Sequence, residues 1–584
     1  MKKYIPLLLT AALHSNAFST PYEKPNVIVV LTDDQGYGDF SCHGNPILKT
    51  PALDRLYGES VRFGNFHVAP LSTPSRGQLM TGLNALNNKA STVLTGRNLM
   101  RRDVLTMPEI FNENGYSTGI FGKWHLGDTY PDRPMDRGFQ KCIWHKGWGL
   151  LSETEFDNDY YKTRYLDSLE TKYSDSYCSD LWFDKAMDWM GEMVDRKQPF
   201  FTYLALNSPH GPFYSPEDDF KFYLPLVKES TTASFFGMIR NIDSNMARLD
   251  EWLDKYGIKD NTILVFMNDN GGTGGVDVFN AGMRDKKGSN YEGGHRAACF
   301  IRWSKGKFGK PRTVSYPSQI QDILPTFIDL LGFKTQENYL FDGESLSPVL
   351  RSEKISENRM FVVQYGGNIK PEKYYSCVVW NTWRLVGENE LYNLDKDPGQ
   401  KSNIANEHPD VLQKMRLFYE TWWKKTELEI NNFVPVIIGS PKENPVILTS
   451  DNWEEGAVNT QWNVALASGP PRGGVIHTYT DHGGTYKIEL SRWPFHIHRN
   501  LTVTGPGKAV GGTKIRPGKA LPIQFGCLSI NNSDPIISES KPEAGSITFN
   551  IKLDTGYNTF QAWFQNKEGK DLCGAYFIRV EKLL

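Results

Sequence analysis

Two acid-rich clusters carry the densest chemistry in this chain. Asp33 and Asp34 close the run NVIVVLTDD, and Asp269 and Asn270 close NTILVFMNDNGG. Three carboxylates and an amide are all oxygen donors, a set that suits a hard cation, calcium or less readily magnesium. No His–Cys cluster joins them to call for zinc. Adjacent strand residues face opposite ways, so Asp33 and Asp34 can serve one ion only if the chain turns there. Gly36 and Gly38 make such a turn credible. Bases stand at similar places. Lys123 and His125 are spaced i, i+2 in an extended segment, His210 follows LALNSP, and Lys287 lies in MRDKKGSNYEGGHR. Arg76 belongs to LSTPSRGQLMTG, where Thr73-Pro74-Ser75 reads as a helix start and Gly82 as its stop. Ser72 then sits at the positive end of a short helix, welcoming an anion. Singly, these are ordinary loop acids and solvated bases. Gathered beside a cation they form a pocket for a tetrahedral ester dianion, sulfate or phosphate. Ser72 itself lacks a G-x-S-x-G elbow, and an unactivated hydroxyl is a poor nucleophile.

The elements that must gather these residues are strands. From residue 22 to about 355, short apolar runs alternate with helical patterns, which predicts an α/β region with a mainly parallel sheet. NVIVVLTDD, YSTGIFGKWH, PFFTYLALNSPH and NTILVFMNDNGG share one format, an apolar strand ending in polar residues. Sites of open α/β sheets form beyond the carboxyl ends of their strands, so these four tips should converge. Residues 356–428 read as a small antiparallel sheet with a closing helix. From 429 to 584 the pattern turns to period two with Gly, Pro and Asn between runs, which predicts an added all-β, sandwich-like domain.

The bulk composition leaves few classes open. The chain has 584 residues, 39% hydrophobic and 23% charged, with a net charge of -2 that offers no case for nucleic-acid binding. MKKYIPLLLTAALHSNA carries two lysines, an apolar run and a small-x-small end, so residues 1–17 read as a bacterial secretory signal, with export to the periplasm or beyond. No later run is long and apolar enough for a membrane anchor. The seven cysteines are scattered with no C-x-x-C pair, so neither a zinc ribbon nor a disulfide framework is signalled.

At these residues the chain resembles the formylglycine-dependent sulfatases. STPSRGQLMTG resembles their signature, a Cys or Ser followed by x-P-x-R and ending in TG. GIFGKWHLG, PHGPF, DNGG, KGSNYEGGHR and LYNLDKDPGQKSNIA resemble their later blocks in the family's order, over roughly residues 24–427. The resemblance implies an alkaline-phosphatase-like fold and sulfate-ester hydrolysis. It implies that Ser72 is a precursor, oxidised to formylglycine, whose hydrated aldehyde attacks sulfur and then releases sulfate by returning to the aldehyde. Asp33, Asp34, Asp269 and Asn270 match the calcium ligands, completed by the modified Ser72. Arg76 and Lys123 match groups that hold the diol and sulfate oxygens, and His125 the base near its second hydroxyl. His210 and Lys287 match the pair beside the leaving oxygen, with His210 as general acid. Serine in place of the commoner cysteine implies a radical-SAM maturase as partner. Asn268 stands where the family often has Ser, and EGGHRAAC lacks the usual Val-Pro.

The rival enzyme reading is a phosphate or phosphonate ester hydrolase of the alkaline phosphatase superfamily. Its two-zinc members bring several histidines to the metal tips, which this chain does not. An inactive sugar-binding protein would require an unmodified Ser72. Export and an extra β domain point to a sulfated carbohydrate substrate. WHKGWGLLSETEFDNDYY falls where the family carries a variable substrate loop, which makes His145 and Trp148 candidate sugar contacts, together with Arg284. For Trp144 and Trp148 the alternative is simple packing.

Overall fold

The computed structural model describes residues 24–583 apart from 157, 336–338, 354–357, 366–369, 457, 506, 511–512, 516 and 542. The segment read as an export signal, residues 1–17, lies outside the described residues.

A ten-stranded sheet organises the first part of the chain. In chain order its strands are β1 (Asn26–Thr32), β2 (Val61–Phe63), β3 (Ser117–Lys123), β4 (Lys141–His145), β5 (Thr163–Asp167), β6 (Glu170–Ser174), β7 (Phe200–Ala205), β8 (Thr262–Asn268), β9 (Cys299–Arg302) and β10 (Arg312–Val314). Their spatial order is β10-β2-β9-β8-β1-β7-β3-β4-β5-β6. The middle five, β8 to β4, run parallel; β9 and β5 flank them antiparallel, and β6 pairs antiparallel with β5. The four runs predicted to converge are four adjacent parallel strands.

The reason these runs are apolar on both faces is burial from both sides. Val27, Val29 and Leu31 enter one core, and Ile28 and Val30 the other. On the first side lie helices Ser72–Thr81 (α1), Met107–Glu113 and Ile323–Leu331; on the second, Cys178–Asp195 and Ser230–Lys255. Two layers of helices thus sandwich the sheet and leave its strand ends open. The fold is that of the alkaline-phosphatase-like α/β class.

A second sheet of four antiparallel strands, Met360–Gln364, Ser376–Trp380, Trp383–Val386 and Glu390–Asn393, is closed by the helix Pro409–Thr426. Beyond it, a six-stranded and a four-stranded sheet share one core built around Ile438, Leu448, Ile488, Phe560 and Val580. Leu99 and Phe156 of the first region are buried in that same core, which fastens this β region to the sheet side. All seven cysteines are free thiols. Among the described residues no helix is long and apolar enough to cross a membrane.

Candidate active site

The carboxyl ends of β1, β3, β7 and β8 bring the chemistry together. Asp33 and Asp34 follow β1, Lys123 ends β3, His210 lies five residues beyond β7, and Asp269 and Asn270 follow β8. The required turn at the acid pair is made by Asp34 itself, which has φ 69°. A non-glycine residue in the left-handed region is uncommon and carries strain that surrounding contacts must hold. Gly36 and Gly38 contribute differently from the expectation. A Cβ on Gly36 would lie 2.7 Å from Gly272 Cα, and one on Gly38 2.7 Å from Phe279 O, so both permit close packing of the two acid-bearing loops.

Helix α1 is buried along its whole length although most of its residues are polar. It ends where Gly82, at φ 67°, donates its N–H to Gln78 O, as the sequence predicts. Its first residue, Ser72, donates toward Asp33 Oδ1 at 3.0 Å and lies 3.1 Å from Asn270 Oδ1. Asp34 N donates to Asp269 Oδ1 at 3.2 Å, and Asn270 Nδ2 to Asp34 Oδ1 at 3.0 Å. One turn along α1, the Arg76 guanidinium pairs with Asp269 Oδ2 at 3.0 Å, both side chains fully buried. Lys123 Nζ reaches Asp33 Oδ2 at 2.8 Å, and Lys287 Nζ reaches Asp34 Oδ1 at 2.5 Å. Three carboxylates and three basic side chains therefore interlock around Ser72.

Burial alone would raise the Asp33 carboxyl, yet the Lys123 ammonium, His210 and Arg76 draw it below its ordinary value. Asp34 is likewise lowered against its burial, by Lys287 and His210. Burial pushes Lys123 down, partly offset by Asp33. His125 is held far below the usual imidazole range by burial and by the cations Lys123 and Arg76, so its ring is neutral. The acids are ionised and the ring is a base, the states that cation binding and proton acceptance need.

His125 departs from the expected geometry. β3 ends at Lys123, and His125 sits beyond it at φ 61°, not two residues along one extended face. The turn still brings the ring to the cluster, with Thr73 Oγ1 3.0 Å from Nε2. His210 Nδ1 faces Gly211 O at 2.7 Å, which makes Nδ1 the donor and leaves Nε2 as the free nitrogen, 3.7 Å from Asp34 Oδ2. The His210 side chain keeps 19% exposure, so it stands at the mouth of the site.

Of the sugar-contact candidates, Trp148 is beside the cluster, its ring 5.1 Å from that of His210. Trp144 is fully buried and donates to Ser168 O, a packing residue. His145 is not brought to the cleft: it is 1% exposed, with Nε2 against Asn207 Nδ2 at 2.7 Å and Nδ1 against Lys146 O. Its assignment as a sugar contact gives way to a role in fixing the β4 and β7 tips. Arg284 stacks on Tyr291 and donates to Gln400 O at 2.9 Å, so it is committed to the second sheet's side. Two supporting residues escaped the sequence reading. Tyr160 Oη donates to the carbonyls of Asn207 and His210, fixing the His210 backbone, and Tyr203 Oη lies 3.4 Å from Arg76. Neither carries a motif: Tyr203 reads as one more residue of the apolar run of β7, and Tyr160 lies in the loop between β4 and β5.

A family model described as Sulfatase matches residues 25–333, more than half the chain and all of the cluster from Asp33 to Lys287. The chain belongs to the sulfatase family. This sulfatase is 30% identical over 454 residues to arylsulfatase J of Mus musculus, covering 67% of the chain and 74% of that protein. It is 27% identical to the mouse N-acetylgalactosamine-6-sulfatase over 437 residues, 69% and 80% of the two chains. Among solved structures it resembles Ps i-CgsB in complex with k-i-k-neocarrahexaose, with TM-score 0.63, 28% identity, and coverage of 68% and 92%. The phosphonate monoester hydrolase of Agrobacterium radiobacter, at 18% identity and TM-score 0.53, shares the fold. As a member of its family the sulfatase is a sulfuric ester hydrolase.

Proposed function

We propose that this sulfatase removes O-sulfate groups from a carbohydrate, with formylglycine made from Ser72 and a calcium ion at the strand tips. One observation carries the reading. Among the described residues the hydrogen-bond partners of Ser72 Oγ are Asp33 and Asn270, with no imidazole or amine among them. A serine placed among oxygen donors instead of beside a base is badly set up as a nucleophile and well set up as one more ligand of a cation.

The donor set fits a hard cation: Asp33 and the acceptor oxygen of Asn270 face Ser72, an Asp34 carboxylate oxygen lies within 4.8 Å of one of Asp33, and Asp269 lies beside Asp34. When bound, calcium would polarise oxygen and neutralise charge on the sulfuryl group, and hydrated formylglycine would supply a second hydroxyl on the same carbon, the route for sulfate release that serine lacks. Removal of two hydrogens from the Ser72 side chain makes that aldehyde, and a serine precursor supports a radical-SAM maturase as the partner that does it.

The chain's own residues then have distinct tasks. Arg76 and Lys123, both buried, hold negative oxygens where charge grows, in a site with little water to screen them. Neutral His125 accepts a proton next to the helix start. His210, protonated on Nε2 as well as on Nδ1, gives the Nε2 proton to the departing oxygen, with Lys287 beside it. The carbohydrate assignment draws support from Trp148 at the mouth and from relatives whose names include N-acetylgalactosamine-6-sulfatase and a neocarrahexaose complex. The test is sulfate release by protein co-expressed with a serine-type maturase. Monosulfated sugars of the galactosamine, glucosamine and galactose series are compared with 4-nitrophenyl sulfate and 4-nitrophenyl phosphate. Hydrolysis of at least one sulfated sugar with no phosphatase activity is expected; turnover of phosphate alone would contradict the reading.

A further inference from the structure

The C-terminal β region does more than pack against the catalytic sheet. It grips the loop that follows β4, residues 146–156, at several points along its length. Asn459 O accepts from both Trp148 Nε1 at 2.6 Å and Glu153 N at 3.1 Å. Ser152 and Thr460 form an isolated antiparallel bridge. Gln461 N donates to Leu151 O at 3.0 Å, and its side-chain Nε2 donates to Leu150 O at 3.0 Å and Glu155 O at 3.3 Å. At the far end Phe156 is buried in the β region's core against Trp493.

This loop has little internal support. Gly147 adopts φ 67°, and a Cβ there would lie 2.3 Å from Ser152 Oγ, so the tight turn before Trp148 depends on glycine. Its described secondary structure is a single 3-10 turn at Glu153–Glu155. Backbone carbonyls of such a loop need partners, and Gln461, itself buried, satisfies two of them. The clamp ends at the active site, because the indole fixed by Asn459 is the ring packed beside His210.

We propose that residues 459–461 are a built-in part of the active site: by clamping the 146–156 loop they fix Trp148 as the stacking platform for the sugar ring that bears the sulfate. Gln461 is a positioning residue, and Trp148 is the specificity residue it positions. An indole held at one edge by a hydrogen bond presents a flat, apolar face with little freedom left, which suits the C–H face of a pyranose. The appended β region thereby acts through the catalytic site of the same chain and not as a separate sugar-capturing module. This inference rests on the sulfated-sugar reading of the site.

The test is a double-mutant cycle on binding, made in the full-length Ser72→Ala protein so that turnover does not intervene. The probes are monosulfated disaccharides from heparin, chondroitin and carrageenan, titrated by calorimetry, with the desulfated disaccharides as controls. Trp148→Ala should weaken the tightest-binding probe about tenfold or more, and Trp148→Phe by much less. Gln461→Ala should give a smaller loss, and the Trp148→Ala/Gln461→Ala pair should be no weaker than Trp148→Ala alone, because both act through one ring. Gln461→Met, which keeps the side chain's size but not its donor and adds no charge, guards against a variant that fails to fold. Additive losses, unchanged binding in Trp148→Ala, or no binding by any probe would overturn the inference. Failure of the sulfatase reading shows separately, as absent sulfate release from every probe by matured wild-type protein.

Discussion

Replacing His210 by alanine separates proton delivery from sulfuryl transfer. Its Nδ1 is spent on Gly211 O, so Nε2 is the one nitrogen it can offer, and at 3.7 Å from Asp34 Oδ2 that nitrogen is not locked in a short hydrogen bond. The ring borders the mouth of the site, next to Trp148, where the departing alcohol must pass. A sugar alkoxide leaves badly without a proton, while a nitrophenolate leaves almost unaided. General acid catalysis contributes ~10²–10⁴-fold, or about 3–5 kcal/mol of barrier. His210→Ala should therefore lower kcat/KM on a sulfated sugar by that range and change 4-nitrophenyl sulfate by about tenfold or less, the residue being the loss of a nearby polar group. Activity is measured on both substrates with matured protein, alongside His125→Ala. His125, buried beside Thr73 and Lys123, lies on the nucleophile's side, so its loss should depress both substrates alike. Equal losses on the two substrates for His210→Ala would refute the acid assignment and leave His210 as a packing partner of Trp148.

The remaining predictions concern the cation, the buried ion pair and the seam between the two regions. A chelator should abolish activity and calcium should restore it, because Asp33, Asp34, Asp269 and Asn270 all offer oxygen ligands; elemental analysis that finds zinc required for turnover would overturn this. Arg76→Leu should destabilise the protein by about 3–5 kcal/mol in chemical denaturation as well as abolishing turnover, since it leaves fully buried Asp269 without its partner; wild-type stability would contradict the pairing. At the seam, burial, with Asp128 nearby, pushes Asp451 up to about 8, and burial with Asp451 raises Glu153. Acids whose folded values are raised bind more protons folded than unfolded, so the contribution of this pair to stability is greatest below the ordinary carboxyl value near 4 and is lost as pH rises toward about 8. The melting-temperature advantage of the wild type over Asp451→Asn should shrink across that window; a difference that does not change with pH would count against it.

Much of this site is legible in the sequence because the strands that carry it are mostly apolar runs that give way to polar or charged residues at their carboxyl ends. A run such as NTILVFMNDNGG announces both its burial and its tip. The order of the strands and the turn at Asp34 are not written there, since a left-handed aspartate has no signature beside an ordinary one. His125 was placed by period two, which fails because β3 stops at Lys123. A histidine at a strand end next to tryptophans looks like a sugar contact, and the hydrogen bond that commits His145 to Asn207, 62 residues away, has no trace in the sequence. The clamp on Trp148 is less legible still, since its partner lies 311 residues farther along the chain.

The central claim is that Ser72 works as formylglycine, and peptide mass spectrometry of the 72-containing fragment tests it most directly. Protein made with a serine-type maturase is compared with protein made without one, and sulfate release from the same preparations is followed. The account predicts a fragment lighter by two hydrogens in active protein, activity that rises in proportion to that fraction, and no turnover in Ser72→Ala. Full activity from protein whose Ser72 is wholly unmodified would contradict it.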